Sequence, residues 1–219
     1  MKKSLTVGCV IMASGLSRRF GTNKLLADFC GQPMLCRAFD ATATPGIAVR
    51  IVVTRSEEVQ ALCRAHGVPV LLHSLPGRND TVRLGLSALL EQQPELSGCM
   101  FLPGDQPLLR RETVEAMTER FCQERPYPAE WQKETEREIF RLGAVADNDP
   151  TPLVGSPVLF GSSFFSELLT LPENKGGNVL LKKYPAQVRT ICIADSAELL
   201  DADIPEVLQQ LETIARQKG

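Results

Sequence analysis

The apolar segment at residues 5–12 is the feature that most constrains the fold of this chain. The run is nearly continuous and rich in β-branched residues, which is typical of a strand buried on both faces of a parallel sheet. A sheet of this kind needs helices over both faces, because each apolar face must be covered by another layer. The first dozen residues therefore already predict an α/β protein.

The rest of the chain alternates strand and helix patterns as this prediction requires. Further strands are predicted at residues 47–54, 68–73, 99–102, 139–146 and 188–194. Helical patterns lie at residues 24–29 and 33–43 (helical or partly helical), 56–65, 80–92, 111–123, around 164–165, from 175–177 to 184, and 204–216. This order predicts an α/β, single-domain doubly wound, mostly parallel sheet with helices on both faces. In such folds ligands bind at the carboxyl ends of the strands.

Charge and cysteine content exclude several classes of protein. The 219 residues carry 24 Lys and Arg against 26 Asp and Glu, a net charge of −2, whereas nucleic-acid-binding domains usually show a basic excess. No apolar stretch approaches the roughly 18–20 residues of a membrane span. The seven cysteines are scattered without a C-x-x-C pair, which favours a reducing, cytoplasmic setting with free thiols. Neither nucleic acid nor membrane is an expected partner.

Residues 124–141 differ from their surroundings in composition. Nine of these 18 residues are charged, and the only Trp lies within them. The pattern predicts a solvated insertion or surface helix, and a lobe that docks a partner is the alternative. No linker divides the chain elsewhere.

The loop after the first strand, residues 13–24, carries the strongest chemical signal. Gly15 and Gly21 allow close approach of a ligand to the backbone, and free N–H groups ahead of a helix bind anions. Arg19 and Lys24 add positive charge. The loop contains neither a Walker A motif nor the G-x-G-x-x-G fingerprint. It predicts a triphosphate-binding site of another type.

Two acidic segments could supply metal ligands. Asp105 lies in Pro-Gly-Asp-Gln-Pro at the end of a predicted buried strand, where a carboxylate can hold Mg²⁺ against a phosphate; a plain turn is the alternative. Asp201 and Asp203 precede the last predicted helix, and Asp203 alone would be read as an N-cap.

These motifs together resemble a known family. The loop at residues 13–26 resembles the phosphate-binding loop of nucleotidyltransferases of the glycosyltransferase-A-like superfamily. Its Phe20 and Lys24-Leu25-Leu26 version is most similar to molybdenum cofactor cytidylyltransferases. Those enzymes more often read Leu-Ala-Ala-Gly where this chain has Ile11-Met12-Ala13-Ser14-Gly15, and an extra Arg18 precedes Arg19.

The resemblance implies roles for residues along nearly the whole chain. It implies catalytic roles for Arg19, Lys24 and Asp105, and Mg²⁺ held by Asp105 and by Asp203 in preference to Asp201. The implied nucleotide-binding residues are Ala13, Ser14, Gly15, Ser17, Arg19, Lys24, Asn79, Thr81 and Gly104. The implied acceptor-binding residues are Gln106, Gly155, Ser156 and Pro157. Ser156 replaces the family's usual His or Asn, and Asn174 and Asn178 replace its Asp and Arg.

The function that this resemblance implies is Mg²⁺-dependent transfer of CMP from CTP to molybdopterin, the organic part of the molybdenum cofactor, with release of pyrophosphate. A recipient molybdenum hydroxylase is a further implied partner. Two alternatives stay open: a guanylyl- or other nucleotidyltransferase of the superfamily, and a non-catalytic accessory protein that binds a nucleotide or the cofactor. His66 and His73 are expected to carry no chemistry, and Phe160, Phe164 and Phe165 are expected in the core.

Overall fold

The computed structural model describes residues 5–17, 19–123, 138–146 and 149–218, with backbone alone at 145–146 and 149–152. The strands are β1 Val7–Ala13, β2 Asp28–Phe29, β3 Gln32–Pro33, β4 Val49–Thr54, β5 Val70–Leu72, β6 Gly98–Pro103, β7 Ile139–Ala146, β8 Asp149–Gly161 and β9 Val188–Ile193. The helices are α1 Leu35–Ala41, α2 Glu57–Ala65, α3 Arg78–Gln92, α4 Arg111–Gln123, α5 Phe165–Leu169, α6 Asn178–Lys183 and α7 Pro205–Lys218.

Seven strands form one sheet in the order β5-β4-β1-β6-β8-β7-β9. β1 pairs in parallel with both β4 and β6, and β7 pairs in parallel with β9. β8 runs antiparallel to its neighbours β6 and β7. The prediction of a doubly wound, mostly parallel sheet is confirmed, and β1 lies in its interior next to the central strand β6.

The alternation of side chains along β1 explains why helices cover both faces of the sheet. Cys9 and Ile11 point into a core that also contains residues of α1, α2, α4 and α7. Val10 points into a second core on the opposite face, with residues of α3, α5 and α6. Phe160, Phe164 and Phe165 are buried in this second core, as expected.

The segment after the β1 loop differs from its predicted form. A helix-like pattern at 24–29 is instead a single 3-10 turn, Lys24–Leu26, followed by the β2–β3 hairpin. Cys30 and Gly31 both have positive φ, 52° and 88°. Two-residue hairpin loops require this geometry, and a Gly there favours it. The turn nevertheless buries the apolar Leu25. The sequence pattern therefore predicted the burial of this residue correctly, but the predicted helix was wrong.

The start of α2 lies where the sequence predicts it. Ser56 caps α2 as predicted, because its Oγ accepts a hydrogen bond from the Val59 N–H at 3.2 Å.

Most of the charged insertion, residues 124–137, lies outside the described residues. Within the described part of the chain, no helix is long and apolar enough to cross a bilayer.

Candidate active site

A cavity of about 780 Å³ opens at the carboxyl ends of β1 and β6. Its volume lies within the range of pockets that bind drug-sized ligands. The lining residues are Met12, Ser14, Gly15, Leu16, Ser17, Arg55, Pro76, Gly77, Arg78, Thr81, Val82, Phe101, Pro103, Asp105, Ser156, Val158, Phe160, Asn174, Gly176, Gly177, Asn178 and Asp201. The predicted residues Ser14, Gly15, Ser17, Thr81, Asp105 and Ser156 are therefore brought together from four separate segments.

The β1 loop is held at its far end by Ser17. Ser17 has a φ of +48°, in the left-handed region that non-Gly residues rarely adopt. Its Oγ accepts a hydrogen bond from the Lys24 N–H at 3.2 Å, and its carbonyl accepts one from the Phe20 N–H at 2.9 Å. Ala13 is buried at the end of β1 and faces a smaller adjoining cavity with Gly15 and Ser17.

The near end of the same loop is held by Ser14. Its Oγ donates to the Val53 carbonyl oxygen at 3.1 Å and lies 2.9 Å from His73 Nε2. Its carbonyl oxygen accepts hydrogen bonds from Nε and Nη2 of Arg55, the former at 2.9 Å. The sequence predicts no chemistry for His73, and in the structure its ring contacts Ser14, a predicted nucleotide-binding residue.

Burial lowers the pKa of His73, and the nearby positive charge of Arg55 lowers it further. The imidazole is therefore neutral near physiological pH. Neither His73 nor Arg55 belongs to a recognised motif, and both are distant from Ser14 in sequence. Their role follows from β4 and β5 ending beside β1, which is visible only in the folded chain.

A cluster of opposite charges lies beside the cavity. Lys24 Nζ is 2.5 Å from Asp105 Oδ2 and 2.9 Å from Asp203 Oδ1. Arg19 Nη2 is 2.5 Å from Asp203 Oδ2. The carboxylates and cations that sequence reasoning selected from three distant segments thus share one network. We call the residues of this cluster, together with Asp201, the charged wall: Arg19, Lys24, Asp105, Asp201 and Asp203.

Electrostatics within the charged wall follow from these contacts. Burial lowers the pKa of Lys24, but the carboxylates of Asp105 and Asp203 outweigh burial and raise it above its usual value. The hydrogen bond from Lys24 lowers the pKa of Asp203. Asp203 therefore serves this ion network and not the N-cap that its position suggested, since α7 begins at Pro205.

Asp201 differs from the other two acids of the charged wall. Its carboxyl group is desolvated and lies near Asp105, and these two effects raise its pKa to about 6. The residue lines the cavity, whereas Asp203 is not among the lining residues. The structure thus brings both candidates to the site, with Asp201 nearer the cavity and Asp203 bound to cations.

An ion pair between the half-exposed Arg110 and the buried Glu198 brings the two acidic segments together. Glu198 is fully buried and accepts hydrogen bonds from Arg110 N, Nε and Nη2 at 3.0, 2.8 and 2.6 Å. Gln106 donates to the Leu199 carbonyl at 3.3 Å, and the Ala202 N–H donates to the Asp105 carbonyl at 2.9 Å. Gln106 is buried in this junction and is not among the residues that line the cavity. An acceptor-binding residue, as predicted for Gln106, would have to reach the cavity. Sequence reasoning missed Arg110 and Glu198.

One part of the described cavity lining carries no charged side chain. We call it the neutral wall, and it consists of Ser156, Asn174, Gly176, Gly177 and Asn178. Asn174 is tied to the start of α3, because its N–H donates to Asn79 Oδ1 at 3.0 Å.

Four predicted site residues support the cavity without lining it. A Cβ on Gly104 would lie 2.8 Å from Leu35 Cδ1, so this glycine permits close packing of β6 against α1. Gly155 faces Leu199, at van der Waals distance for an added Cβ. Pro157 follows Ser156 through a cis peptide bond. Asn79 contacts the neutral wall through the hydrogen bond that its Oδ1 accepts from the Asn174 N–H.

The donor chemistry of the charged wall suits Mg²⁺. Carboxylate oxygens are hard ligands, and Mg²⁺ is commonly held by one or two carboxylates together with substrate phosphates. Over the described ranges, no group of three or more His, Cys, Asp or Glu side chains is arranged to hold a metal by itself. Lys24 places a positive charge between Asp105 and Asp203. The residues therefore fit a cation shared with a bound phosphate chain.

Comparison with known families identifies a match over most of the chain. A family model described as the MobA-like NTP transferase domain matches residues 9–188. Among curated proteins, 3-deoxy-manno-octulosonate cytidylyltransferase of Neisseria meningitidis is 34% identical over 97 residues, which is 44% of this chain and 38% of the relative. The enzyme of that name from Pelodictyon phaeoclathratiforme is 30% identical over 129 residues, 58% of this chain and 48% of its own length. The matched stretch thus covers less than half of these relatives.

Solved structures agree on the fold. Rv0371c from Mycobacterium tuberculosis superposes with a TM-score of 0.76 at 22% identity, covering 95% of this chain and 98% of that one. A CMP:2-keto-3-deoxy-manno-octonic acid synthetase complexed with CTP gives a TM-score of 0.74 at 18% identity, covering 98% and 100%. A nucleotidyl transferase from Methanothermobacter thermautotroptrophicus gives 0.75 at 17% identity, covering 98% and 99%.

Proposed function

This chain belongs to the MobA-like NTP transferase domain family, and we propose that it transfers CMP from CTP to molybdopterin with release of pyrophosphate. The observation that carries the proposal is the loop between Ser14 and Lys24, which lines a nucleotide-sized cavity and brings Arg19 and Lys24 against the carboxylates of other segments. CTP is the proposed donor because the curated relatives are named cytidylyltransferases. Molybdopterin is the proposed acceptor because the loop sequence is most similar to enzymes that use it.

The reaction needs no nucleophile from the protein. An oxygen of the acceptor's terminal phosphate attacks the α-phosphorus of CTP, the bond to the bridging oxygen breaks, and pyrophosphate leaves with the electron pair. Transfers of this kind depend on positioning and charge neutralisation. Lys24 and Arg19 would hold the β- and γ-phosphates, exchanging their contacts with Asp203 for contacts with phosphate oxygens.

The acids of the charged wall would then be free to hold a divalent metal. Mg²⁺, when bound, supplies charge neutralisation at the α-phosphate and the attacking oxygen. Asp105 is its main proposed ligand, and Asp203 or Asp201 is the second. Asp105 is fixed for this task by the backbone hydrogen bond that its carbonyl accepts from Ala202.

The neutral wall would contact the acceptor. Gly176 and Gly177 let a ligand approach the backbone closely, and the amides of Asn174 and Asn178 can both donate and accept hydrogen bonds. Ser156 adds a short hydroxyl to the cavity lining. The acceptor would thus be selected by shape and hydrogen bonding, and its phosphate would be neutralised from the charged wall.

A second acceptor is favoured by one observation. The named relatives act on 3-deoxy-manno-octulosonate, and they match up to 58% of this chain. A sugar acid is smaller and carries a carboxylate, so the neutral wall would leave that group without a cationic partner from its own side chains.

The test is a matrix of donors and acceptors. Purified protein is incubated with Mg²⁺ and CTP, GTP, ATP or UTP, with either molybdopterin or 3-deoxy-manno-octulosonate, and pyrophosphate release and nucleotide product are measured. We expect turnover with CTP and molybdopterin and at least a tenfold preference over GTP. Asp105→Asn should abolish it, whereas Asp28→Asn, an exposed acid on the β2–β3 hairpin, should not. Nucleotide binding without turnover would instead favour an accessory protein, and turnover with the sugar acid alone would replace the acceptor.

A further inference from the structure

The start of the nucleotide loop is fixed by side chains that no motif contains. Ser14 lines the cavity, and it is contacted from two neighbouring strand ends: Val53 and Arg55 at the end of β4, and His73 after β5. We call Ser14 with Arg55 and His73 the Ser14 clamp.

Hydrogen-bond accounting assigns the proton on His73. Ser14 Oγ has one hydrogen, and the Val53 carbonyl oxygen can only accept, so that hydrogen is directed to Val53. The 2.9 Å contact to His73 therefore requires Nε2 to donate to Ser14 Oγ. The neutral ring then carries its lone pair on Nδ1, which is buried and has no hydrogen-bond partner in the described part of the chain.

Charges around the ring favour the same neutral state. Arg55 and Arg83 both oppose protonation of His73, and only Asp80 favours it. Asp80 is itself engaged by Arg83 at 3.1 Å and by the Gly77 N–H at 3.0 Å. A proton on Nδ1 would place a buried donor without an acceptor beside two guanidinium groups.

The clamp divides the loop into fixed and free parts. The Ser14 carbonyl is held by the Arg55 guanidinium, and the other end of the segment is held at Ser17 by the Lys24 N–H. Between these two points only Gly15 and Leu16 remain, and Leu16 is 57% exposed. The conformation of the short cavity-facing span thus depends on both anchors.

We propose that His73 and Arg55 are positioning residues that preorganise the nucleotide loop through Ser14. The proposal rests on the proposed function, because it assigns these residues to the nucleotide site of that reaction. Preorganised sites bind more tightly since less ordering accompanies binding. Loss of the clamp therefore weakens nucleotide binding and leaves the chemical step, carried by the charged wall, nearly unchanged.

The experiment compares His73→Leu with His73→Gln. A Gln side chain can present its Nε2 donor to Ser14 Oγ, whereas Leu cannot. We expect His73→Leu to raise the Kd and KM for CTP at least fivefold with kcat within twofold, and His73→Gln to restore both within twofold. His66→Leu, which alters the exposed histidine beside Cys36, is the matched control and should leave the Kd unchanged. Adding Ser14→Ala to the His73→Leu variant should not raise the Kd for CTP any further.

Amide hydrogen exchange of residues 15–17 in the nucleotide-free protein gives a second readout. Faster exchange in His73→Leu than in the wild type and in His73→Gln supports the clamp whatever the nucleotide. Equal Kd values and equal exchange rates overturn the clamp and leave the proposed function standing. A fall in kcat and in global stability that Gln does not rescue also overturns it, since that pattern indicates a merely structural role. A wild-type protein that binds no nucleotide overturns the proposed function, and exchange alone then decides the clamp.

Discussion

The charged wall and the neutral wall lie at one cavity but are built by different means. The charged wall joins distant segments through ion pairs centred on Lys24. The neutral wall is one short segment plus Ser156, and its polar groups are amides, a hydroxyl and backbone. Under the proposed function this difference corresponds to a division of labour, in which the charged wall neutralises phosphate charge and the neutral wall contacts the second substrate.

Removing the central cation of the charged wall should have the largest effect. Lys24→Met leaves Asp105 and Asp203 facing each other and removes one phosphate contact. Loss of a single electrostatic stabiliser of the transition state typically costs ~10²–10³ in kcat, and we expect a loss of this size in pyrophosphate release. Lys182→Met, at an exposed lysine of α6, is the control. Retention of a third or more of wild-type activity in Lys24→Met would show that the charged wall does not handle phosphate.

The charged wall should also depend on a contact outside the cavity. Arg110→Ala leaves Glu198 as a buried, unpaired carboxylate, and breaking a buried pair from one side costs about 3–5 kcal/mol. We expect about 3 kcal/mol, because Arg110 is itself half exposed. Denaturant unfolding measures the change.

Two further variants calibrate that result. Lys183→Met breaks the exposed pair with Glu167 and should cost no more than about 1 kcal/mol. Replacing Arg110 and Glu198 together by Met should recover much of the loss. Comparable costs for Arg110→Ala and Lys183→Met would mean that the junction of the two acidic segments is not held by this pair.

On the neutral wall, adding charge should produce a smaller effect. Asn178→Arg places a cation beside Gly177, where an acceptor phosphate would lie. Partly exposed ion pairs contribute up to about 1 kcal/mol, so the KM for molybdopterin should fall about threefold to fivefold with the KM for CTP unchanged. Steady-state kinetics with each substrate varied in turn measures both. A change in the CTP KM alone would place the nucleotide on this wall instead.

The smallest expected effect concerns the pH dependence of stability. The pKa of Asp201 is raised to about 6, so the folded protein binds more protons than the unfolded chain between about pH 4 and pH 6, and stability falls as pH rises through that window. Asp201 is exposed to the cavity, and solvent screening limits the effect to below about 1 kcal/mol. Asp201→Asn should therefore exceed the wild type in stability at pH 7 and equal it at pH 4. A larger advantage at pH 4 than at pH 7 would contradict the assignment.

The sequence allowed the fold to be predicted wherever burial alone determines an element. β1, β6 and α4 are recovered nearly to the residue, because a strand buried on both faces and an amphipathic helix leave unambiguous patterns. The β2–β3 hairpin was not predicted, because its turn depends on positive φ at Cys30 as well as at Gly31. A cysteine gives no signal for that conformation.

The charged residues of the site could be predicted from the sequence, but the residues that hold its segments in place could not. Arg19, Lys24, Asp105 and Asp203 occur in short motifs with fixed spacing, and the structure brings all four into contact. His73, Arg55, Arg110 and Glu198 act across 41 to 88 residues of sequence. Such pairs have no local pattern, because they depend on which strand ends become neighbours in the sheet.

The Arg110–Glu198 pair joins residues 105–110 to residues 195–203 across the fold. The region matched by the family model ends at residue 188, before the segment that completes the charged wall. A chimaera that exchanges the carboxyl-terminal part alone would bring in a foreign partner for Arg110 and leave a mismatched charge in the interior. We therefore expect a chimaera with a relative to fold only when both segments come from the same parent. Recombination libraries with crossovers at residue 188 measure this dependence as the fraction of chimaeras that fold.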